Sequence, residues 1–216
     1  MAAGAKTNTY FIGDACLCWQ LGDRIDRLTS LRVLWAYRRL RKDPELRRLG
    51  VRDLVPSYIA LAAHADPLRD WEAIRAAVDR GLAEVPSDEA ALAVQGARRH
   101  KLPVVYNGED LKRVAEHAGL SAEEVIKRHL APEYLVAMVG FRPHFPYLLG
   151  LDKSLVTPRL DSPRTAVPAG AVGVAGEQTG VYPETSPGGW NILGMTRPEL
   201  LYDIEPGDTV LFERAG

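Results

Sequence analysis

The stretch from Ser162 to Gly194, SPRTAVPAGAVGVAGEQTGVYPETSPGGWNILG, constrains the fold more strongly than any other part of the chain. It contains seven of the 19 glycines and four of the 15 prolines, but only three charged residues. Proline fixes φ and glycine permits backbone positions closed to other residues, so this composition predicts tight turns rather than a flexible linker. In AVGVA (171–175), valines alternate with alanine and glycine. A strand there would have one branched face and one nearly bare face, which a ligand or another backbone could approach closely.

The same stretch, with the loop at 140–147, carries a concentrated set of side chains that could bind a ligand. Arg164 could hold a carboxylate through two hydrogen bonds. Gln178 and the backbone N–H groups near Gly188 and Gly189 could bind a carbonyl or an oxyanion, and Trp190 could form an apolar wall. The alternative for each is a turn-stabilising hydrogen bond or a contact between domains. No catalytic residue is assigned, and the candidate substrate- or partner-site residues are Arg142, His144, Arg164, Glu177, Gln178, Tyr182, Gly188, Gly189 and Trp190.

The sequence on both sides of this stretch predicts a mainly β second half. YLVAMVGF (134–141) is a nearly continuous apolar strand, and NILG (191–194) and DTVLFE (208–213) follow between proline and glycine turns. Several short strands at this spacing indicate a closed barrel or a sandwich. The periodicity alone does not choose between the two.

Two amphipathic helices are predicted before these strands, within EDLKRVAEHAGLSAEEVIKRHL (109–130). They are separated at Gly119, and Ser121 with Glu124 forms a capping box at the start of the second helix. The spacing also fits a helix-turn-helix, a DNA-binding motif. The near-zero net charge and the predicted strands on either side favour a purely structural role. His129 lies near the end of the second helix and is interpreted as a residue that caps it.

The first part of the chain predicts a separate, smaller domain. Its elements follow the order strand, helix, strand, strand, helix, which is typical of a ferredoxin-like α/β sandwich. They are a strand broken at Gly13-Asp14, a helix over Asp26 to Arg41, two strands over Val51 to His64 and a helix from about Asp70 to Leu82. The predicted fold class is α+β, with an N-terminal α/β domain at 1–84, a linker at 85–98 and a second domain at 99–216.

Composition and charge limit the class of protein. The net charge of −1 at pH 7 argues against a general nucleic-acid coat or a membrane-surface protein, and no apolar run is long enough to span a membrane. The basic segment between Arg38 and Arg52 is interpreted as a solvated face, with an acidic partner or nucleic acid as the alternative. Cys16 and Cys18 have no further ligands at zinc-site spacing. We therefore expect reduced, buried thiols in a cytoplasmic protein, and no metal.

Four blocks of the sequence closely resemble the signature of the KipI/PxpB family, also called allophanate hydrolase subunit 1. They are GFRPHFPYLLGLD (140–152), VPAGAVGVAGEQTGVYP (167–183), SPGGW (186–190) and PGDTVLF (206–212). The resemblance implies that the second domain is a cyclophilin-like barrel. The chain departs from the family pattern at His144, where a glycine is usual. A glycine there suggests a turn with positive φ, and we expect the His144 imidazole to fill part of a pocket beside this turn.

The resemblance implies three functional branches. In the first, the chain is the PxpB subunit of an ATP-dependent 5-oxoprolinase, which converts 5-oxo-L-proline to L-glutamate together with a KipA/PxpC-like and a LamB/YcsF (PxpA)-like subunit. In the second, it is half of the carboxyltransferase part of a urea or amide carboxylase, which uses biotin. In the third, it is a KipI-like inhibitor that binds a sensor histidine kinase. We expect the first branch, with a cytoplasmic subunit that is inactive alone and binds neither nucleic acid nor membrane.

Several catalytic motifs are missing from the sequence. No GxxxxGK[ST] phosphate-binding loop, GxSxG elbow or HExxH motif occurs. The chain therefore offers no complete catalytic centre of its own. In the oxoprolinase branch, ATP is expected to bind through the assembled complex.

Overall fold

The computed structural model describes residues 8–92 and 96–216 and forms two compact units, Met1–Gly96 and Ala97–Gly216. The first is a ferredoxin-like α/β unit. The second, called the barrel unit below, is a cyclophilin-like β-barrel with two helices. The chain therefore has the α+β fold class that the sequence predicts.

The predicted linker at 85–98 is only partly described. Residues 93–95 lie outside the described residues, as do residues 1–7 of the first predicted domain. Leu92 is fully buried in a short 3-10 helix. This part of the predicted linker is therefore packed structure.

The first unit is a four-stranded antiparallel sheet with helices on one face. Its elements are β1 (Asn8–Phe11), β2 (Cys16–Gln20), α1 (Arg27–Leu40), α2 (Pro44–Arg48), β3 (Val51–Pro56), β4 (Ala60–Ala65) and α3 (Trp71–Ala83). The strand order is β1-β2-β4-β3. A ferredoxin-like unit takes its fourth strand from the chain after its second helix, whereas here the fourth strand is β1. The predicted break at Gly13-Asp14 is the turn of a hairpin, with Gly13 at φ +64°.

Aspartates begin both long helices of this unit. The Asp26 carboxylate accepts the Thr29 N–H at 2.9 Å, and the Asp70 carboxylate accepts the Ala73 N–H at 3.0 Å. Both predicted helices are confirmed to within a residue at each end. In the described part of the chain, no helix is long and apolar enough to cross a membrane.

Alternation along β2 divides its side chains between two faces. Leu17 and Trp19 pack in the core, and the Trp19 indole N–H donates to Asp79 at 2.7 Å. Cys16 and Cys18 are buried free thiols, as predicted. Burial raises the pKa of Cys18 to about 11, so this thiol stays protonated at neutral pH.

The barrel unit is built from a seven-stranded sheet that nearly closes on itself. Its elements are β5 (Arg99–Val104), α4 (Leu111–Ala118), α5 (Ala122–Leu130), β6 (Tyr134–Val139), β7 (Pro146–Leu149), β8 (Arg164–Val167), β9 (Ala171–Ala175), β10 (Gln178–Val181), β11 (Ser186–Gly188), β12 (Asn191–Met195) and β13 (Thr209–Arg214). The sheet order is β12-β9-β10-β7-β6-β13-β5, and β8 and β11 form a separate ribbon. Val105 and Met195 exchange two backbone hydrogen bonds of 2.9 Å, which join the two edges of the sheet.

One strand pair in this sheet joins distant parts of the chain. β5 and β13 run parallel, with Arg99 opposite Thr209. The other strand pairs of the barrel sheet are antiparallel. The pair therefore links the beginning of the barrel unit to its end.

The predicted helices of the barrel unit are confirmed, and both contribute to the barrel core. Val114 of α4 and Val125 of α5 are fully buried there. Gly119 ends α4 in the left-handed conformation, and the Ser121 hydroxyl accepts the Glu124 N–H at 3.2 Å to begin α5. The two helices are thus packed parts of the barrel unit.

Candidate functional site

The predicted bare face of β9 exists, and aromatic side chains of the same chain cover it. Val172 and Val174 point into the barrel core, whereas Ala171 and Ala175 pack in a second apolar cluster. A Cβ added at Gly173 would lie 3.2 Å from the Trp190 Cβ. The close approach that the sequence predicts is therefore confirmed, and it is made by a side chain of the protein itself.

Phe145 lies at the centre of this aromatic cluster. Its ring centroid is 4.8 Å from that of Tyr147, 5.1 Å from that of Tyr182 and 5.5 Å from that of Trp190. Burial raises the pKa of Tyr147 and of Tyr182, so both phenols are protonated at neutral pH and can donate hydrogen bonds. A side chain at Gly188 would overlap the Tyr182 hydroxyl, which explains the glycine at this position. The cluster forms a firm apolar base below the SPGGW turn.

Arg164 does not offer a free guanidinium to a ligand. It forms 2.8 Å ion pairs with both Glu109 and Asp110. The other carboxylate oxygen of the buried Asp110 accepts the Ile192 N–H at 2.7 Å. These contacts join the start of α4 to β8 and β12. Arg164 therefore stabilises the site region, and the structure does not support the predicted carboxylate clamp.

Asn191 continues this arrangement next to Trp190. Its side-chain oxygen accepts from Arg113 at 3.0 Å, and its amide N–H groups donate to the carbonyls of Pro158 and Val174 at 2.9 and 3.2 Å. Asp110 and Asn191 were not identified as site residues from the sequence. An aspartate just before a helix normally indicates an N-cap, but here the Asp110 side chain makes no capping hydrogen bond.

The loop between β6 and β7 holds two strained residues on the surface. Phe141 and His144 both have φ +67°, which confirms the positive φ predicted at His144. The His144 imidazole is exposed, with its ring 5.0 Å from that of Tyr202. The expectation that it fills a pocket is not met. Arg142, also exposed, lies 3.5 Å from a Glu184 carboxylate oxygen.

The remaining predicted site residues lie around the same outer surface of the barrel. Glu177 is exposed in the turn between β9 and β10, and Gln178 is half-buried at the start of β10. Gly189 accepts the Leu160 N–H at 2.8 Å through its carbonyl. The backbone there is therefore fixed by the preceding loop.

His129 lies inside the barrel unit and takes part in a chain of hydrogen bonds. Its Nδ1 is 2.7 Å from the Tyr106 hydroxyl, and its Nε2 is 3.0 Å from the Thr179 hydroxyl. Thr179 donates in turn to the Gly173 carbonyl at 3.0 Å, and a carbonyl can only accept. Thr179 must therefore accept from His129 Nε2–H, which leaves Nδ1 to accept from Tyr106.

The surroundings of His129 correct its interpretation as a helix cap. The side chain is fully buried, and burial lowers its pKa to about 3. Its ring stacks on Phe212 at 4.6 Å. His129 is therefore a neutral core residue with a defined tautomer. Within residues 8–92 and 96–216, His, Cys, Asp and Glu side chains form no group of three that could hold a metal ion.

Comparison with known proteins identifies the family. The model of the carboxyltransferase domain, subdomain C and D, matches residues 7–211. The chain belongs to this carboxyltransferase-domain family. The 5-oxoprolinase subunit designated B in Bacillus subtilis (strain 168) is 35% identical over 219 residues, which cover 95% of this chain and 88% of that protein.

Solved structures agree with this carboxyltransferase-domain fold. The crystal structure of TTHA0988 matches with a TM-score of 0.78 and 36% identity over 94% of this chain. This chain spans 40% of that longer chain. The urea carboxylase of Kluyveromyces lactis matches with a TM-score of 0.75 over 97% of this chain and 22% of its own. At 15% identity, the second likeness shows the fold alone.

Proposed function

We propose that this chain is the PxpB subunit of a multisubunit, ATP-dependent 5-oxoprolinase that converts 5-oxo-L-proline to L-glutamate. The observation that carries the proposal is the similarity to the 5-oxoprolinase subunit of Bacillus subtilis, which extends over 95% of this chain and 88% of that protein. A match of this extent relates the two proteins across both units, not through one shared motif. The reaction is proposed for the complex, because the chain lacks a phosphate-binding loop.

The outer surface of the barrel suits a small, flat lactam. Tyr147 and Trp190, whose ring centroids are 5.8 Å apart, provide an aromatic wall beside the Gly188-Gly189 backbone. Gln178 adds a half-buried amide at the same surface. When bound in the complex, ATP supplies a phosphoryl group that activates the ring carbonyl toward water. This chain's own part is to hold and orient the ring.

The proposal includes the partners. A KipA/PxpC-like subunit and a LamB/YcsF (PxpA)-like subunit complete the enzyme in the cytoplasm, where ATP is available. No metal ligand is assigned to this chain. The carboxyltransferase alternative with biotin has only the fold likeness to the urea carboxylase behind it, and the histidine-kinase alternative has no structural observation behind it.

The test is reconstitution. The purified chain alone is expected to show no 5-oxoproline-dependent ATP hydrolysis, and the three mixed subunits are expected to release ADP and glutamate together. Omitting each subunit in turn provides the control. Turnover by the single chain, or a three-subunit mixture that forms a complex without turnover, would contradict the proposal.

A further inference from the structure

Arg159 stands out in the loop that leads into β8. Its backbone is fixed on both sides, because the Pro158 carbonyl accepts from the Asn191 amide at 2.9 Å and the Leu160 N–H donates to the Gly189 carbonyl at 2.8 Å. The side chain itself is exposed. A long cationic side chain is thus presented from a rigid backbone, directly beside the SPGGW turn.

The guanidinium of Arg159 has no polar partner within residues 96–216. Each of the other eight arginines of the barrel unit lies within ion-pair or hydrogen-bond distance of a carboxylate or a side-chain amide. Arg164, for example, is neutralised by Glu109 and Asp110. Arg159 is therefore the arginine of this unit whose donors remain available for an anion.

The surroundings of Arg159 are those of the candidate site. Burial raises the pKa of Tyr147 and of Tyr182, and the nearby positive charge of Arg159 opposes this shift at both phenols. Trp190 lies against Tyr147. A ligand on this surface would meet an aromatic wall, phenol hydroxyls and one uncompensated positive charge.

We propose that Arg159 binds the carboxylate of the substrate, and so selects lactams that carry a carboxylate over neutral ones. The inference rests on the proposed function, because 5-oxoproline is a five-membered lactam with one carboxylate. Guanidinium and carboxylate match in a planar, two-bond geometry, which a fixed backbone presents with little loss of side-chain freedom. Arg159 thus takes the role that the sequence suggested for Arg164.

The experiment uses the reconstituted three-subunit complex with Arg159→Gln and Arg159→Lys. For 5-oxoproline, Arg159→Gln is expected to raise KM about 10- to 100-fold, the range for one charged hydrogen-bonded contact, and Arg159→Lys less. The second ligand is 2-pyrrolidinone, the same ring without the carboxylate, assayed as substrate or as competitive inhibitor. Its constants are expected to be equal in wild type and both variants. Arg197→Gln, which removes an exposed arginine paired with Glu199, is the matched control and leaves both ligands unaffected.

The outcomes separate this inference from the proposed function. An active wild-type complex with an unchanged KM in Arg159→Gln would overturn the inference and leave the function standing. Equal losses for 5-oxoproline and 2-pyrrolidinone would also overturn it, because they would show a general effect on the site. A wild-type complex without 5-oxoproline-dependent turnover would overturn the proposed function and the inference with it. Circular dichroism of each variant confirms folding.

Discussion

Two polar networks hold the barrel unit together in different ways. The inner network of Tyr106, His129 and Thr179 is uncharged and runs through the buried interior. The outer network is built on the ion pairs of Asp110 and Arg164 at the surface of the barrel. Each joins a helix to strands far away in sequence. The inner network therefore depends on keeping a proton off a buried ring, and the outer one on keeping two charges together.

The largest effect is expected from breaking the outer network at its buried acid. Asp110→Ala removes the partner of Arg164 and the acceptor of the Ile192 N–H. Loss of a buried, charge-assisted contact is expected to lower the free energy of unfolding of the barrel unit by about 3 kcal/mol. The measurement is urea unfolding followed by hydrogen exchange at amides of the barrel unit.

The control is the neighbouring acid. Glu109 pairs with the same arginine, but its side chain is 64% exposed. Glu109→Ala is therefore expected to cost less than ~0.5 kcal/mol, as is usual for surface ion pairs. Equal losses for the two variants would show that burial is not what distinguishes these carboxylates.

The inner network is expected to fail with acid. The His129 pKa is about 3 in the folded protein and 6.5 for an unperturbed histidine, so the unfolded chain binds the extra proton between these pH values. Stability is then complete above pH 6.5 and falls as the pH drops below it. From pH 7.5 to 5.0 this amounts to a loss of about 2 kcal/mol.

His129→Gln tests the source of this pH dependence. The variant is expected to be less stable at pH 7.5 but to lose little more on acidification to pH 5.0, because the titrating ring is gone. Urea unfolding of both proteins at several pH values gives the two slopes. A variant that keeps the wild-type slope would assign the pH dependence to other groups.

The smallest effect is expected in the loop that belongs to neither network. His144 has φ +67°, a region that glycine adopts without strain. His144→Gly is therefore expected to stabilise the barrel unit slightly, by about 0.5 kcal/mol, since relief of strain exceeds the added freedom of the unfolded chain. Thermal unfolding at pH 7.5 measures this shift. Destabilisation would show that the contact of His144 with Tyr202 is worth more than the strain.

The sequence predicted the elements whose signals are local. The alternation in 171–175 predicted the two faces of β9, and the capping residues near Gly119 predicted both helices of the barrel unit. The glycine pattern around His144 predicted its positive φ. In each case the side chains that determine the conformation are neighbours in sequence.

The polar partners could not be predicted in the same way, because they come together only in the folded barrel. Asp110 bonds to Arg164 and Ile192, which are 54 and 82 positions away. His129 meets Thr179 across 50 positions. Local rules therefore indicated a helix start for Asp110 and a helix cap for His129. The available charge of Arg159 was equally hidden, since it depends on which acids the other arginines engage.

The parallel pairing of β5 with β13 has a consequence for the synthesis of the protein. Arg99 must wait for Thr209, which the ribosome adds 110 residues later. At ~5–20 residues per second, this takes roughly 6 to 22 seconds. During that interval β5 lacks the strand against which it pairs, while the first unit, whose strands pair among themselves, already has every described strand it needs. The newborn chain is thus expected to carry one folded unit and one open, apolar sheet, and the open sheet is where a chaperone would bind.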